Sequence, residues 1–160
     1  MIQKKVCMLG ATAVGKTSLV ARFVSNLFSD KYHTSIGVKV DKKALRIGEE
    51  DVSLLLWDIY GDDDFQKLRT TYLRGAAGYL LVVDSTRRSS LEKAYEIKQN
   101  VEFALGPIPF VLVLNKTDLV DAWDLPSEFD PNWTVVKSSA KTGVGVEEAF
   151  AALAAKVIAC

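Results

Sequence analysis

Gly10-Ala11-Thr12-Ala13-Val14-Gly15-Lys16-Thr17 stands between an apolar run, Lys5 to Leu9, and a stretch of helical period, Gly15 to Asn26. The octet fits the spacing G-x-x-x-x-G-K-[ST], placed where the chain must turn from a strand into a helix. In that setting the backbone N–H groups of Ala13, Val14, Gly15, Lys16 and Thr17 can converge on phosphate oxygens, helped by the positive end of the helix dipole. The Lys16 ammonium would supply a point charge between the β- and γ-phosphates. The Thr17 hydroxyl is a candidate magnesium ligand, and Ser18 joins the same set of candidate contacts. A strand-to-helix turn that merely contains glycine and lysine is the bland alternative, and it loses weight because both flanks have the required period. The octet does not say which nucleotide is held, nor whether the chain is a kinase, an ATPase or a GTPase.

Outward from the octet, short apolar runs alternate with segments of helical period, the pattern of a mostly parallel sheet covered by helices on both faces. In the first helix Leu19, Val20, Phe23 and Val24 share one face. Strands over Val38 to Ile47 and Val52 to Trp57, joined by the polar turn Gly48-Glu49-Glu50-Asp51, read as a hairpin and hence an antiparallel pair. A short helix near Phe65 to Arg74 and a strand from Gly78 to Asp84 follow. The next helix runs from Ser90 to Leu105, with Ser89 and Glu92 at capping-box spacing. Two more strands lie at Phe110 to Asn115 and Thr134 to Lys137. The last helix, Val146 to Ala159, buries Phe150, Leu153 and Val157. Val120 to Pro131 is polar and irregular, with at most one helical turn. The expected fold is a doubly wound α/β domain with a six-stranded, mostly parallel sheet and one antiparallel strand pair. Its 160 residues suffice for one core, and no composition break divides them.

Lys plus Arg number 20 and Asp plus Glu number 20, a balance with no electrostatic footprint for nucleic acid or an anionic membrane surface. The longest apolar runs, such as Tyr79 to Val83, are too short to cross a bilayer and read as buried strands. Cys7 and Cys160 cannot build a disulfide framework, and Cys7 reads as core. With no signal peptide in view, the setting expected is reducing and cytoplasmic.

Base choice is written elsewhere. Asn115-Lys116-Thr117-Asp118 follows an apolar strand, and the carboxyl ends of strands are where α/β sheets bind ligands. The Asp118 carboxylate can accept from both the N1–H and the 2-amino group of guanine. Adenine, with an acceptor at N1 and no amino group at C2, would leave it unpaired, a loss on the order of 1–3 kcal/mol and more for a buried charge. The Lys116 stem can lie along one face of the base, and Asn115 can tie this loop back to the phosphate turn. Ser139-Ala140-Lys141 follows the next strand at the same sheet edge. There the Ala140 N–H can donate to guanine O6, where adenine carries an amino group.

The ordered set of Gly10 to Thr17, Phe28 with Tyr32 to Val38, Trp57-Asp58 with Gly61, Asn115 to Asp118 and Ser139 to Lys141 resembles the Ras superfamily of small GTPases, its Rab-like branch most. The likeness spans essentially the whole chain, 1–160, as a single G domain. It implies a monomeric switch that binds GTP or GDP with magnesium and hydrolyses GTP. By that resemblance Phe28 stacks edge-on against the guanine, opposite Lys116. Ser35, in a first switch from Asp30 to Val38, stands where the family usually has a magnesium-ligating threonine. It keeps the oxygen but lacks the β-branch that restricts χ1. His33 beside it reads as an exposed loop residue. In the second switch Asp58 holds magnesium through water, and the Gly61 N–H meets the γ-phosphate. Hydrolysis removes the γ-phosphate contacts of Ser35 and Gly61, and both segments relax. Protein effectors and regulators would read these switches and the strand edge from Val38 to Leu45.

Three departures stand out. Asp62 occupies the position of the glutamine that orients the attacking water. A carboxylate cannot donate, and two like charges about 5 Å apart repel by roughly 3 kcal/mol at an effective dielectric near 20. Asp62, Asp63 and Asp64 also suit a helix N-terminus, which does not restore the amide. Tyr60 replaces a small residue and crowds the γ-phosphate. Thr12 and Ala13 replace frequent glycines, and a positive φ at Ala13 would cost about 1–2 kcal/mol. The expected outcome is intact nucleotide binding with slow intrinsic hydrolysis, Lys16 and Asp62 filling the catalytic positions unless a partner supplies a glutamine and an arginine. The alternative is a pseudo-GTPase scaffold without meaningful hydrolysis; a nucleotide kinase would leave Asn115 to Asp118 unexplained. Rab-like relatives usually carry a prenylated tail, whereas Cys160 directly follows a helix with no C-a-a-X arrangement. Either a tail has been removed or the protein works without a lipid anchor.

Overall fold

A computed structural model describes residues 1–26, 37–60 and 70–159, without the side chains of Gly37, Tyr60, Thr70 and Val120. The expectations for Phe28, Ser35, Gly61, Asp62, the Tyr60 ring and Cys160 lie outside the described residues. Six strands form one sheet: β1 (Ile2–Gly10), β2 (Gly37–Ile47), β3 (Glu50–Tyr60), β4 (Gly78–Asp84), β5 (Phe110–Asn115) and β6 (Val135–Lys137). Their order is β2-β3-β1-β4-β5-β6. Only β2 with β3 is antiparallel; the other pairs are parallel. This is the six-stranded architecture that the alternating pattern implies.

Among the described residues the helices are α1 (Lys16–Ser25), α2 (Thr70–Leu73), α3 (Arg88–Leu105) and α4 (Val146–Ile158), with one 3-10 turn at Val120–Ala122. Strand alternation sorts the core into two layers. Val6, Met8, Leu80, Val82, Val111 and Val113 pack with α1 and α4. Cys7, Leu9, Tyr79, Leu81, Leu112 and Leu114 pack with α2 and α3. Phe23 of α1 stacks on Phe150 of α4, ring centroids 4.0 Å apart and 2° from parallel. Because β4 and β5 are covered on both faces, Tyr79 to Val83 and Phe110 to Leu114 run apolar without a break up to the polar ends Asp84 and Asn115. Burial pushes the Cys7 thiol up to about 12, so it is an inert part of this core.

Two local expectations need correction. β2 and β3 pair as far as Ile47 opposite Glu50, so the turn is the two residues Gly48-Glu49 rather than four. Gly48 takes φ 61°, and Glu49 is not among the positive-φ residues, the φ pattern of a type II′ hairpin turn. Second, α3 starts at Arg88, with Arg87 as its N-cap and no side-chain cap, so Ser89 lies inside the first turn and the capping box does not form. Tertiary contact decides this start. Buried Ser90 Oγ accepts from the Asp84 N–H at 3.0 Å and donates to the Arg87 carbonyl at 2.7 Å, fixing the helix to the end of β4. Of the helix expected near Phe65 to Arg74, only α2 falls within the described residues.

The chain leaves β1 for β2 and β3 on one side and returns to β4 on the other. The carboxyl ends of β1 and β4 therefore flank a topological switch point, where such sheets open a crevice for a ligand.

Candidate functional site

The Gly10 to Thr17 turn lies at that switch point, between β1 and α1. Gly15, at φ 105°, is the N-cap of α1. A Cβ there would strike the Asn115 side-chain nitrogen, so the position requires glycine for both its backbone and its neighbour. Lys16 is buried, and its ammonium donates to the carbonyls of Gly10 at 2.8 Å and Ala11 at 3.3 Å. The charge is thus held over the loop instead of reaching into solvent. Ser18 is half-buried in the first turn of α1.

Asn115 and Lys116, at the end of β5, reach back to this turn. Asn115 Nδ2 donates to the Val14 carbonyl at 2.9 Å, while its Oδ1 accepts from Ser138 Oγ at 3.1 Å and the Ala140 N–H at 3.3 Å. Lys116 Nζ donates to the Ala13 carbonyl at 3.0 Å. Among the described residues the non-glycines with positive φ are Ala13 (65°), Lys116 (67°) and Asn26 (57°). Asn26 is an ordinary helix C-cap. The other two touch one another, so the strain collects at one place in the molecule, as it does at functional sites. Relieving it with Ala13→Gly removes about 1–2 kcal/mol of steric cost but returns roughly 0.4–1 kcal/mol of chain entropy to the unfolded state. The expected net gain is about 0.5 kcal/mol, a rise of 1–2 °C or so in the thermal midpoint; a fall would show that the methyl group packs usefully.

Asp118 is exposed, and one of its oxygens accepts from Ser139 Oγ at 2.8 Å. That bond restrains the carboxylate. Ala140 is buried next to it, and because its N–H already makes the long bond to Asn115, it would reach a base carbonyl by sharing that proton. Lys141 is exposed at the start of the following turn. The base-loop residues and the phosphate turn, about a hundred residues apart in sequence, therefore form one connected site.

Thr17 Oγ1 donates to Asp58 Oδ2 at 2.6 Å, so two of the three expected magnesium residues meet; Ser35 lies outside the described residues. A hydroxyl and a carboxylate are hard oxygen donors suited to magnesium. Among the described residues no group of three or more His, Cys, Asp or Glu gathers.

Sequence reasoning missed Asp84 and Arg87. Asp84 is buried at the carboxyl end of β4, where its Oδ2 accepts from Lys116 Nζ at 3.0 Å and Arg87 Nε at 3.1 Å, and its Oδ1 accepts from Thr86. Burial pushes the carboxyl up, but the bonds from Thr86, Lys116 and Arg87 outweigh it and hold the group below the usual carboxylate range. Stabilisation from a depressed carboxyl is present above its unfolded-state value and is lost as pH falls through the folded one. The available signal was position, an acid at the end of a central parallel strand.

A glycine-bounded phosphate turn at the switch point, joined to an Asn-Lys-x-Asp loop, defines a P-loop nucleotide-binding domain. A profile of the Ras family matches residues 5–159. Human Rab-32 is 34% identical over 169 residues, covering 96% of this chain and 74% of that protein. Human Rab-31 is 33% identical, covering 96% and 82%, and Rab-1 of Theileria annulata is 32% identical, covering 94% and 72%. The chain belongs to the Ras family, in its Rab-like branch. It is a small GTP-binding protein of the switch type. Among the described residues no helix is long and apolar enough to cross a membrane.

Proposed function

We propose that residues 1–160 form a single, monomeric, cytoplasmic G domain that binds GDP or GTP with magnesium and hydrolyses GTP slowly on its own. The observation that carries this reading is Asn115, whose side chain joins the Val14 carbonyl of the phosphate turn to Ser138 and Ala140 of the base loops. A site that fixes the distance between a base and its phosphates selects a whole nucleotide.

In this reading the N–H groups of Ala13 to Thr17 bind the phosphates, Lys16 neutralises the β–γ bridge, and Ser18 supports the same turn. Phe28 and Lys116 sandwich the base, Asp118 accepts from its N1–H and 2-amino group, and Ser139, Ala140 and Lys141 close its O6 edge. Thr17, Ser35 and Asp58 would hold magnesium, which when bound neutralises phosphate charge. The Gly61 N–H senses the γ-phosphate, and effectors and regulators read the two switch segments. Labelled GDP displaced from the purified protein by GTP but not by ATP is the expected result; displacement by ATP at equal concentration overturns the reading.

Slow hydrolysis rests on Asp62, which stands where an amide would orient water. Asp62→Gln is expected to raise the single-turnover rate on the order of ten- to a hundredfold, because it removes a like charge worth roughly 3 kcal/mol and restores a donor. An unchanged rate would show that the water is positioned by something else. The same residue, with Tyr60, favours a second reading, a pseudo-GTPase scaffold. Chromatography of the bound nucleotide over time separates them: GDP accumulates in a GTPase and GTP persists in the scaffold.

A further inference from the structure

Three successive carbonyls of the phosphate turn, those of Thr12, Ala13 and Val14, each accept a hydrogen bond from a side chain elsewhere in the fold. Val14 receives Asn115 and Ala13 receives Lys116. The Thr12 carbonyl receives Arg87 Nη2 at 2.7 Å, from 75 positions away in sequence. In a trans peptide unit the carbonyl and the N–H point in opposite directions, and the described residues contain no cis peptide bond. A donor on each carbonyl therefore aims the next N–H the other way: Asn115 aims that of Gly15, Lys116 that of Val14, and Arg87 that of Ala13.

We infer that Arg87 is a positioning residue for nucleotide retention: by holding the Thr12 carbonyl it directs the Ala13 N–H at the polyphosphate. This rests on the proposed reading of the turn as a nucleotide site. Support comes from both ends of the contact. Ala13 sits at φ 65°, a conformation alanine disfavours, so its peptide orientation needs an outside constraint. The guanidinium is itself fixed, because its Nε donates to buried Asp84 Oδ2 at 3.1 Å while Nη2 remains for Thr12. Only a planar, forked donor serves both acceptors at once. A cation on a carbonyl also polarises the peptide and strengthens its N–H as a donor.

The full chain is loaded with fluorescently labelled GDP and magnesium, and dissociation is followed after adding excess unlabelled GDP. Arg87→Ala, and Arg87→Met with its retained aliphatic stem, are expected to release nucleotide about tenfold faster, the scale of a charge-assisted bond at a partly exposed position. Arg87→Lys recovers part of that loss. In nitrogen-resolved NMR spectra of the GDP complex, the Ala13 amide proton moves upfield in both neutral variants while that of Gly15, aimed by Asn115, stays in place. A residue that only starts α3 would lower the thermal midpoint and move neither the release rate nor the Ala13 amide, and that result overturns the inference. Failure of the wild type to take up GDP overturns the parent reading; uptake with unchanged Arg87→Ala release overturns the Arg87 role alone.

Discussion

Asn115→Ala is expected to weaken GDP binding by at least about a hundredfold and to destabilise the nucleotide-free protein by about 3 kcal/mol. Asn115 is buried, and its side chain serves three partners in the described fold. Truncation leaves the Val14 carbonyl, the Ser138 hydroxyl and the Ala140 N–H facing a hole too enclosed for water to restore every bond. Each buried polar group stranded in this way costs about 1–3 kcal/mol, and three in one network do not add fully. The affinity falls further because the two halves of the ligand site would no longer hold a fixed spacing, so binding must order them. Equilibrium competition with labelled GDP measures the first effect, and urea unfolding of nucleotide-free protein the second. Affinity within about threefold of wild type would show that the base loop and the phosphate turn are held together by other contacts.

Much of this site is legible in sequence because each of its motifs is contiguous. The octet at Gly10 to Thr17 has its spacing and both flanks within one short stretch, so local pattern suffices. Asp118 and Ser139 are legible for a related reason: each follows a strand, and parallel strands deliver their carboxyl ends to one edge of the sheet. Arg87 and Asp84 were not, since their roles come from contacts with residues remote in sequence, Thr12 for the first and Lys116 for the second. The start of α3 failed in the same way: Ser89 and Glu92 have capping-box spacing, but Ser90 is bonded to the end of β4 and sets the helix two residues earlier. Local rules gave way where a tertiary hydrogen bond competed with a local one. The Ala13 strain shows the converse. A positive φ there is only a condition in the sequence, raised because alanine stands where glycine is frequent, and the structure places it at 65°.

Asp118→Asn is expected to reverse the base preference from guanine to xanthine. In the wild type, Ser139 Oγ holds one carboxylate oxygen at 2.8 Å, which restrains the group and, in the proposed reading, leaves its other oxygen for the base. Guanine presents an N1–H and a 2-amino group, both donors, to that acceptor pair. An asparagine keeps its oxygen toward the Ser139 hydroxyl and the N1–H, which leaves its NH2 opposite the 2-amino group, donor against donor. Xanthine has a carbonyl at that carbon and accepts the new N–H. Losing one bidentate contact is worth about 1–3 kcal/mol, and the clash adds to it. GDP affinity should therefore fall on the order of a hundredfold while xanthosine diphosphate gains by a similar factor. Thr17 and Asp58, the proposed magnesium residues, and the Lys16 ammonium are untouched by the change, so the phosphate half of the site acts as an internal control. Competition titrations with the two diphosphates on both proteins measure the exchange of preference. A variant that still chose GDP would mean that guanine is recognised by some group other than the Asp118 carboxylate.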